Sequence, residues 1–153
     1  DMLSVSRITG PSERGAEGWD IKAVLRKRED EKLTFSLREL LGTWEENTME
    51  FMAGETVTGV VRSIESYGVF VELAPNLAGL AEPGEDLFIG QKVSVFIKSI
   101  LPQKMKIKLV IVEAFNERES AQKFKYFIDS SHIDFWNYSP QLCEKEIFTD
   151  FTE

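Results

Sequence analysis

One aromatic residue of this chain is predicted to lie on the outer face of a β-strand. Val69, Val71 and Leu73 alternate as an inward-facing set. The residues between them, Phe70 and Glu72, should therefore point towards solvent. An exposed aromatic ring with basic residues close by is a surface on which the bases of a single-stranded nucleic acid can stack. The alternative is that another segment of the chain covers Phe70.

Basic residues on neighbouring strands could hold the phosphates of such a strand. Arg62 falls opposite the inward-facing residues of an earlier alternating segment, and Lys106 and Lys108 alternate outward in a later one. Lysine and arginine side chains on one groove are typical of sites that follow a nucleic-acid backbone. The alternative is that Lys104, Lys106 and Lys108 form an ordinary solvated strand face.

The elements that must position these residues are short strands with period-two alternation. Their inward-facing sets are Val57, Gly59 and Val61; Val69, Val71 and Leu73; the short segment 76–80; Val93, Val95 and Ile97; and Met105, Ile107 and Leu109. Five such strands at this spacing predict a small closed β-barrel. Strict alternation would place Tyr67 inside, whereas a bulge at Gly68 would turn it outward.

This region resembles the S1 domain family, an OB-fold RNA-binding repeat of bacterial ribosomal proteins. The matching residues are Gly54, Val57, Gly59 and Val61, then Tyr67, Gly68, Phe70 and Val71, then Gly79 and Leu80, then Gly90 and Val93. The resemblance implies an OB-fold barrel over residues 54–112.

The resemblance also implies roles for individual residues. Tyr67 and Phe70 occupy the positions of the family's stacking aromatics, and Arg62 and Lys106 its basic positions. The family's histidine position holds Glu82, whose carboxylate would repel phosphate. We include Lys108 among the expected phosphate-binding residues and Glu82 among the residues of the expected RNA-binding face.

The chain is expected to be mostly β, with the barrel between two smaller parts. The predicted divisions are a partial S1-like repeat at 1–39, a helical linker at 40–53, the barrel at 54–112 and an aromatic-rich extension at 113–153. The predicted strands of the first part are 3–8, 20–26 and 33–37, with a charged turn at 27–32. We expect a fragment of a multi-repeat protein, because a domain that begins in mid-barrel leaves strand edges unpaired. The alternative is an intact three-stranded domain.

The extension is unusually rich in aromatic residues, which are rarely left in water. The sequence predicts a strand at 126–128, alternation of Trp136 with Tyr138, and a short helix from Ser139 towards Lys145. Phe96, expected on the barrel exterior, is a natural place for these rings to pack. The extension is interpreted as a cover for the barrel, or alternatively as a docking element for a protein partner.

Composition limits the possible functions. The net charge of −8 disfavours tight non-specific binding to duplex, although residues 54–112 contain equal numbers of basic and acidic residues. A lone cysteine, Cys143, fits a reducing cytoplasm, and no apolar run is long enough to span a membrane. His132 lacks the partners of a catalytic triad or a metal site. We therefore expect no enzyme activity, metal or cofactor.

Two functions remain after these exclusions. The first is binding of single-stranded RNA, such as mRNA or rRNA, in a bacterial protein of translation or RNA metabolism. The second is a degenerate barrel that makes protein contacts, either docking on the ribosome or packing against sister repeats.

Overall fold

The computed structural model describes residues 2–6, 8–120 and 122–152. The strands are β1 (Val24–Glu29), β2 (Lys32–Ser36), β3 (Thr56–Glu65), β4 (Gly68–Ala74), β5 (Leu77–Ala81), β6 (Gln91–Leu101), β7 (Lys106–Arg118), β8 (Phe135–Asn137) and β9 (Phe148–Asp150). An α-helix, α1, spans Trp44–Thr48, and 3-10 helices span Pro11–Glu13, Arg38–Leu40 and Pro102–Lys104. No helix in the described ranges is long and apolar enough to cross a membrane.

Five strands close into a barrel in the order β3-β4-β5-β7-β6. All pairings are antiparallel except that of β5 with β7, which is parallel. The interior is formed by the alternating residues that the sequence predicts, including the fully buried Val69, Val71, Val93, Val95 and Ile97. The mostly β fold with a five-stranded OB-type barrel is thus confirmed. Strand β7 continues beyond the expected barrel end at 112.

The N-terminal part differs from the prediction in three ways, the first of which is that the strand expected at 20–26 begins only at Val24. Residues 3–8 form no strand over their described positions. Instead, hydrogen bonds hold this segment against other parts of the protein; for example, Val5 N–H donates to Asn76 Oδ1 at 3.0 Å. Strands β1 and β2 pair as a hairpin whose tight turn is at Asp30 and Glu31. The expected charged turn at 27–32 is therefore mostly strand, and its six consecutive charged side chains are all exposed, as suits a two-stranded hairpin with both faces in water.

The segment 40–53, predicted as a helical linker, contains the short helix α1. Its start is fixed by a capping box, in which Thr43 Oγ1 accepts from Glu46 N–H and the Glu46 carboxylate accepts from Thr43 N–H. The helix begins with Trp44, which is buried against the barrel core. Trp44 thereby links the helix to the barrel.

The C-terminal extension folds back on the linker and the barrel. Trp136 of β8 and the following Tyr138 are buried in the same apolar cluster as the barrel interior. Residues 126–128 form no strand, and residues 139–145 form turns and bends rather than the expected helix. Ring contacts within the described chain join aromatic residues of the extension to Trp19 and to one another, and none involves Phe96.

Candidate nucleic-acid interface

The two predicted stacking aromatics lie together at the mouth of a cleft of about 400 Å³. Tyr67 is in the turn between β3 and β4 and is 63% exposed, and Phe70 is half-buried on β4. Their ring centroids are 6.1 Å apart and the rings are nearly perpendicular, at 85°. Both residues line the cleft.

The outward position of Tyr67 does not come from a bulge at Gly68. Glu65 pairs with Gly68, so Tyr67 lies in a two-residue turn outside the strand pairing. The register shift between β3 and β4 falls at Arg62 instead. Gly68 is needed for another reason, because a Cβ at this position would lie 2.6 Å from the backbone oxygen of Ala81.

Of the two predicted lysines, Lys106 lines the cleft and Lys108 does not, because strand pairing places Lys108 two strands away from Phe70. Phe70 pairs with Leu80 of β5, and Leu80 pairs with Lys108 of β7, so the three form one row across the sheet. Lys106 lines the cleft together with Tyr67 and Phe70. The two lysines are exposed and have no carboxylate partner among the described residues. Their charges are available for an anionic ligand.

Arg62 and Glu72 depart from the sequence expectation. Arg62 borders the cleft but is only 8% exposed, and Glu72, expected in solvent, is 6% exposed. Arg62 Nη2 is 3.0 Å from Glu72 Oε2, and Arg62 Nη1 is 3.0 Å from Glu13 Oε1. Both terminal nitrogens of the guanidinium thus have carboxylate partners. This arrangement corrects the expectation that Arg62 holds a phosphate and gives it a structural role.

Arg14 completes this buried cluster from the N-terminal part of the chain. Its Nη2 lies 2.6 Å from Glu72 Oε1 and its Nη1 lies 3.0 Å from Oε2, so the contact is bidentate. Burial alone would raise the pKa of Glu72, but the hydrogen bonds and positive charges of Arg14 and Arg62 outweigh it and lower the pKa below its ordinary value. Glu72 is therefore an ionised carboxylate that joins the N-terminal part to the barrel.

The cleft has a second wall that the sequence analysis did not predict. The wall comes from the C-terminal extension and consists of Tyr138, Lys145 and Ile147; we call these residues the C-terminal wall. Lys145 lies between Glu144 and Glu146 in the sequence. The local composition is therefore acidic and does not indicate an anion-binding lysine. Lys104, noted above only as part of a solvated face, also lines the cleft.

Glu82 lies immediately after β5 and is exposed. It forms no ion pair with any described residue. The pairing of Val69 with Ala81 brings this end of β5 close to the turn that carries Tyr67. Glu82 does not line the cleft itself, but this pairing places it near the turn that carries Tyr67.

The described residues offer little for catalysis. No group of three or more His, Cys, Asp or Glu side chains among them could hold a metal ion. His132 Nε2 lies 2.7 Å from Asp134 Oδ1, but both side chains are exposed and lie outside the cleft.

Comparison with known proteins finds no matching family model but several curated relatives. The chain is 31% identical over 127 residues to small ribosomal subunit protein bS1 of Chlamydia trachomatis, covering 74% of this chain and 22% of the relative. It is 29% identical over 140 residues to a bS1 homolog of Bacillus cereus, and this alignment covers 82% of this chain and 37% of the relative. It is 31% identical over 123 residues to bS1 of Staphylococcus aureus, and this alignment covers 71% of this chain and 32% of the relative.

These alignments cover most of this chain but at most 37% of the length of the three relatives. The closed barrel of this chain has the strand arrangement expected of an OB-fold. Sequence similarity and architecture therefore agree. The barrel of this chain belongs to the S1 domain family found in ribosomal protein bS1.

Proposed function

We propose that the cleft binds single-stranded RNA. The observation that supports this best is the placement of two accessible aromatic rings, Tyr67 and Phe70, beside lysines that have no carboxylate partner. Bases would stack on the rings, and Lys106 and Lys108 would contact phosphates. The relatives are named as proteins of the small ribosomal subunit, so mRNA or rRNA at the ribosome, in the bacterial cytoplasm, is the proposed target.

The proposal predicts a large effect of removing the Phe70 ring. Phe70→Ala is expected to weaken binding of a single-stranded oligouridine of about ten nucleotides by about 1–3 kcal/mol, the usual worth of a base stacked on an aromatic side chain. Fluorescence anisotropy with labelled RNA measures the change. Phe35→Ala is the control, because Phe35 is likewise a phenylalanine on a strand but is exposed and lies outside the cleft. Equal affinities of Phe70→Ala and the wild type, with an intact fold, would remove the stacking role.

Glu82 provides a second test, based on charge. Glu82→Gln is expected to tighten RNA binding about twofold to fivefold at low salt, because a carboxylate beside the strand repels phosphate. The gain should shrink as salt rises and screens the charge. Glu82→His should add a contact that survives higher salt. Glu113→Gln, at an exposed position of β7 outside the cleft, is the control for the change in net charge.

The second candidate function is docking of a protein on the barrel. It is favoured by the net charge of −8 and by the carboxylate of Glu82 on the proposed RNA-binding side. Under this alternative, wild-type protein and both Glu82 variants would show no salt-dependent RNA binding. Tyr67→Ala would then weaken association with ribosomal proteins stripped of RNA.

A further inference from the structure

We propose that the C-terminal wall is part of the RNA site and that Lys145 contacts the backbone of the strand whose bases lie on Tyr67 and Phe70. This inference rests on the proposed RNA-binding function. It extends the site beyond the five strands of the barrel, to a segment that starts more than sixty residues after the aromatic pair. The binding surface is thus assembled from separate parts of the chain.

The first step of the argument is that the wall is firmly held. The Tyr138 hydroxyl donates to the backbone oxygen of Asn76, next to β5, and burial raises the pKa of this hydroxyl so that it keeps its proton. The Tyr138 backbone oxygen accepts from Trp44 N–H at 3.0 Å, and its N–H donates to Ile147 O at 2.8 Å. The hydrogen bonds of Tyr138 thus join it to Asn76 between β4 and β5, to Trp44 at the start of α1, and to Ile147, two residues after Lys145. A lysine on so constrained a segment loses little backbone freedom on binding.

The second step concerns charge. Lys145 is exposed and lines the cleft, and no described carboxylate forms an ion pair with it. Glu144 and Glu146 flank it but do not line the cleft. Lys104 and Lys106 border the same space. Three ammonium groups from two separate segments therefore converge on one cleft, while the carboxylates nearest Lys145 in the chain lie outside it.

The third step identifies the ligand chemistry. The remaining charged residue of the cleft, Arg62, is buried, and its charge is offset by two carboxylates, those of Glu13 and Glu72, that do not line the cleft. The unbalanced charge of the cleft is thus positive in a chain whose net charge is −8. Aromatic rings on one side and ammonium groups on the other match a nucleotide, which has a planar base and an anionic phosphate.

The test is a salt titration of RNA affinity with a charge-matched control. Lys145→Gln is expected to weaken binding of an oligouridine of about ten nucleotides about fivefold at 0.1 M salt. It should also make the slope of log affinity against log salt concentration shallower by about 0.7, the value for one phosphate contact on a single strand. Lys32→Gln removes the same charge from an exposed site on β2, outside the cleft, and should change neither quantity. Because both lysines are exposed, both variants should unfold at the wild-type temperature.

A second measurement reports contact directly. Acetylation of lysines with a water-soluble reagent, read by mass spectrometry, should show protection of Lys145 by saturating oligouridine and none of Lys32. If Phe70→Ala weakens binding while Lys145→Gln leaves affinity, slope and protection unchanged, the C-terminal wall lies outside the site and the RNA-binding function stands. If the wild-type protein does not bind the oligouridine, both proposals fail.

Discussion

Replacing Glu72 with glutamine is expected to destabilise the protein by about 3–5 kcal/mol. The substitution leaves two buried guanidinium groups without their shared carboxylate, and breaking one side of a buried ion pair typically has a cost of this size. Arg62 would retain Glu13, but Arg14 would have no carboxylate partner among the described residues. Urea denaturation followed by circular dichroism measures the free energy of unfolding.

The same substitution should alter the response to acid. The pKa of Glu72 is lower in the folded protein than in the unfolded chain. Its ionised carboxylate therefore stabilises the fold at neutral pH. This stabilisation is lost as the pH falls from about 4.3, the ordinary pKa of a glutamate, through the lower pKa of the folded state. The wild type should therefore lose more stability than Glu72→Gln over this acid range. Parallel losses in the two proteins would contradict the assignment. Glu113→Gln, an exposed control on β7, should stay within about 0.5 kcal/mol of the wild type.

Asn76→Ala is expected to destabilise the protein by about 2–4 kcal/mol, because it leaves several enclosed backbone groups without partners. The side chain is 0% exposed. Its Oδ1 accepts from Val5 N–H at 3.0 Å, and its Nδ2 donates to the backbone oxygens of Arg38 at 2.7 Å and Gly42 at 2.8 Å. Thermal and urea unfolding measure the loss.

An isosteric variant separates lost hydrogen bonds from lost volume. Asn76→Asp keeps the shape and one acceptor, but it directs a carboxylate oxygen at two carbonyl oxygens, so it should be at least as destabilising as Asn76→Ala. Asn116→Ala, at an exposed position of β7, should have almost no effect. A mild phenotype for Asn76→Asp would mean that packing, rather than hydrogen bonding, holds the N-terminal part and the linker on the barrel.

Local alternation was a sound guide inside the barrel and a poor one outside it. Val69, Val71 and Ile97 lie in the interior as predicted, because a closed barrel has one buried face and period-two alternation specifies which residues occupy it. Alternation also put Glu72 on the outer surface of the sheet. It did not show that Arg14, from a distant part of the chain, covers that surface, because no local pattern records which segment packs there.

The candidate site shows the same division. Family resemblance located Tyr67, Phe70 and Lys106, which line one cleft. It assigned Arg62 to phosphate, although its partners in the folded chain are carboxylates. Lys145 was missed because its acidic neighbours dominate the local composition, and only the fold of the extension brings it to the cleft.

The near-perpendicular arrangement of Tyr67 and Phe70 constrains the path of any strand that uses both rings. Bases lying flat on the two rings would have planes about 85° apart, whereas bases stacked on each other within a strand are nearly parallel. A bound strand must therefore interrupt its own stacking between these two nucleotides. Flexible pyrimidine runs do so at lower cost than stiffly stacked purine runs. If RNA binds through both rings, the barrel selects among RNAs by the stiffness of the strand, without a hydrogen bond to the edge of any base.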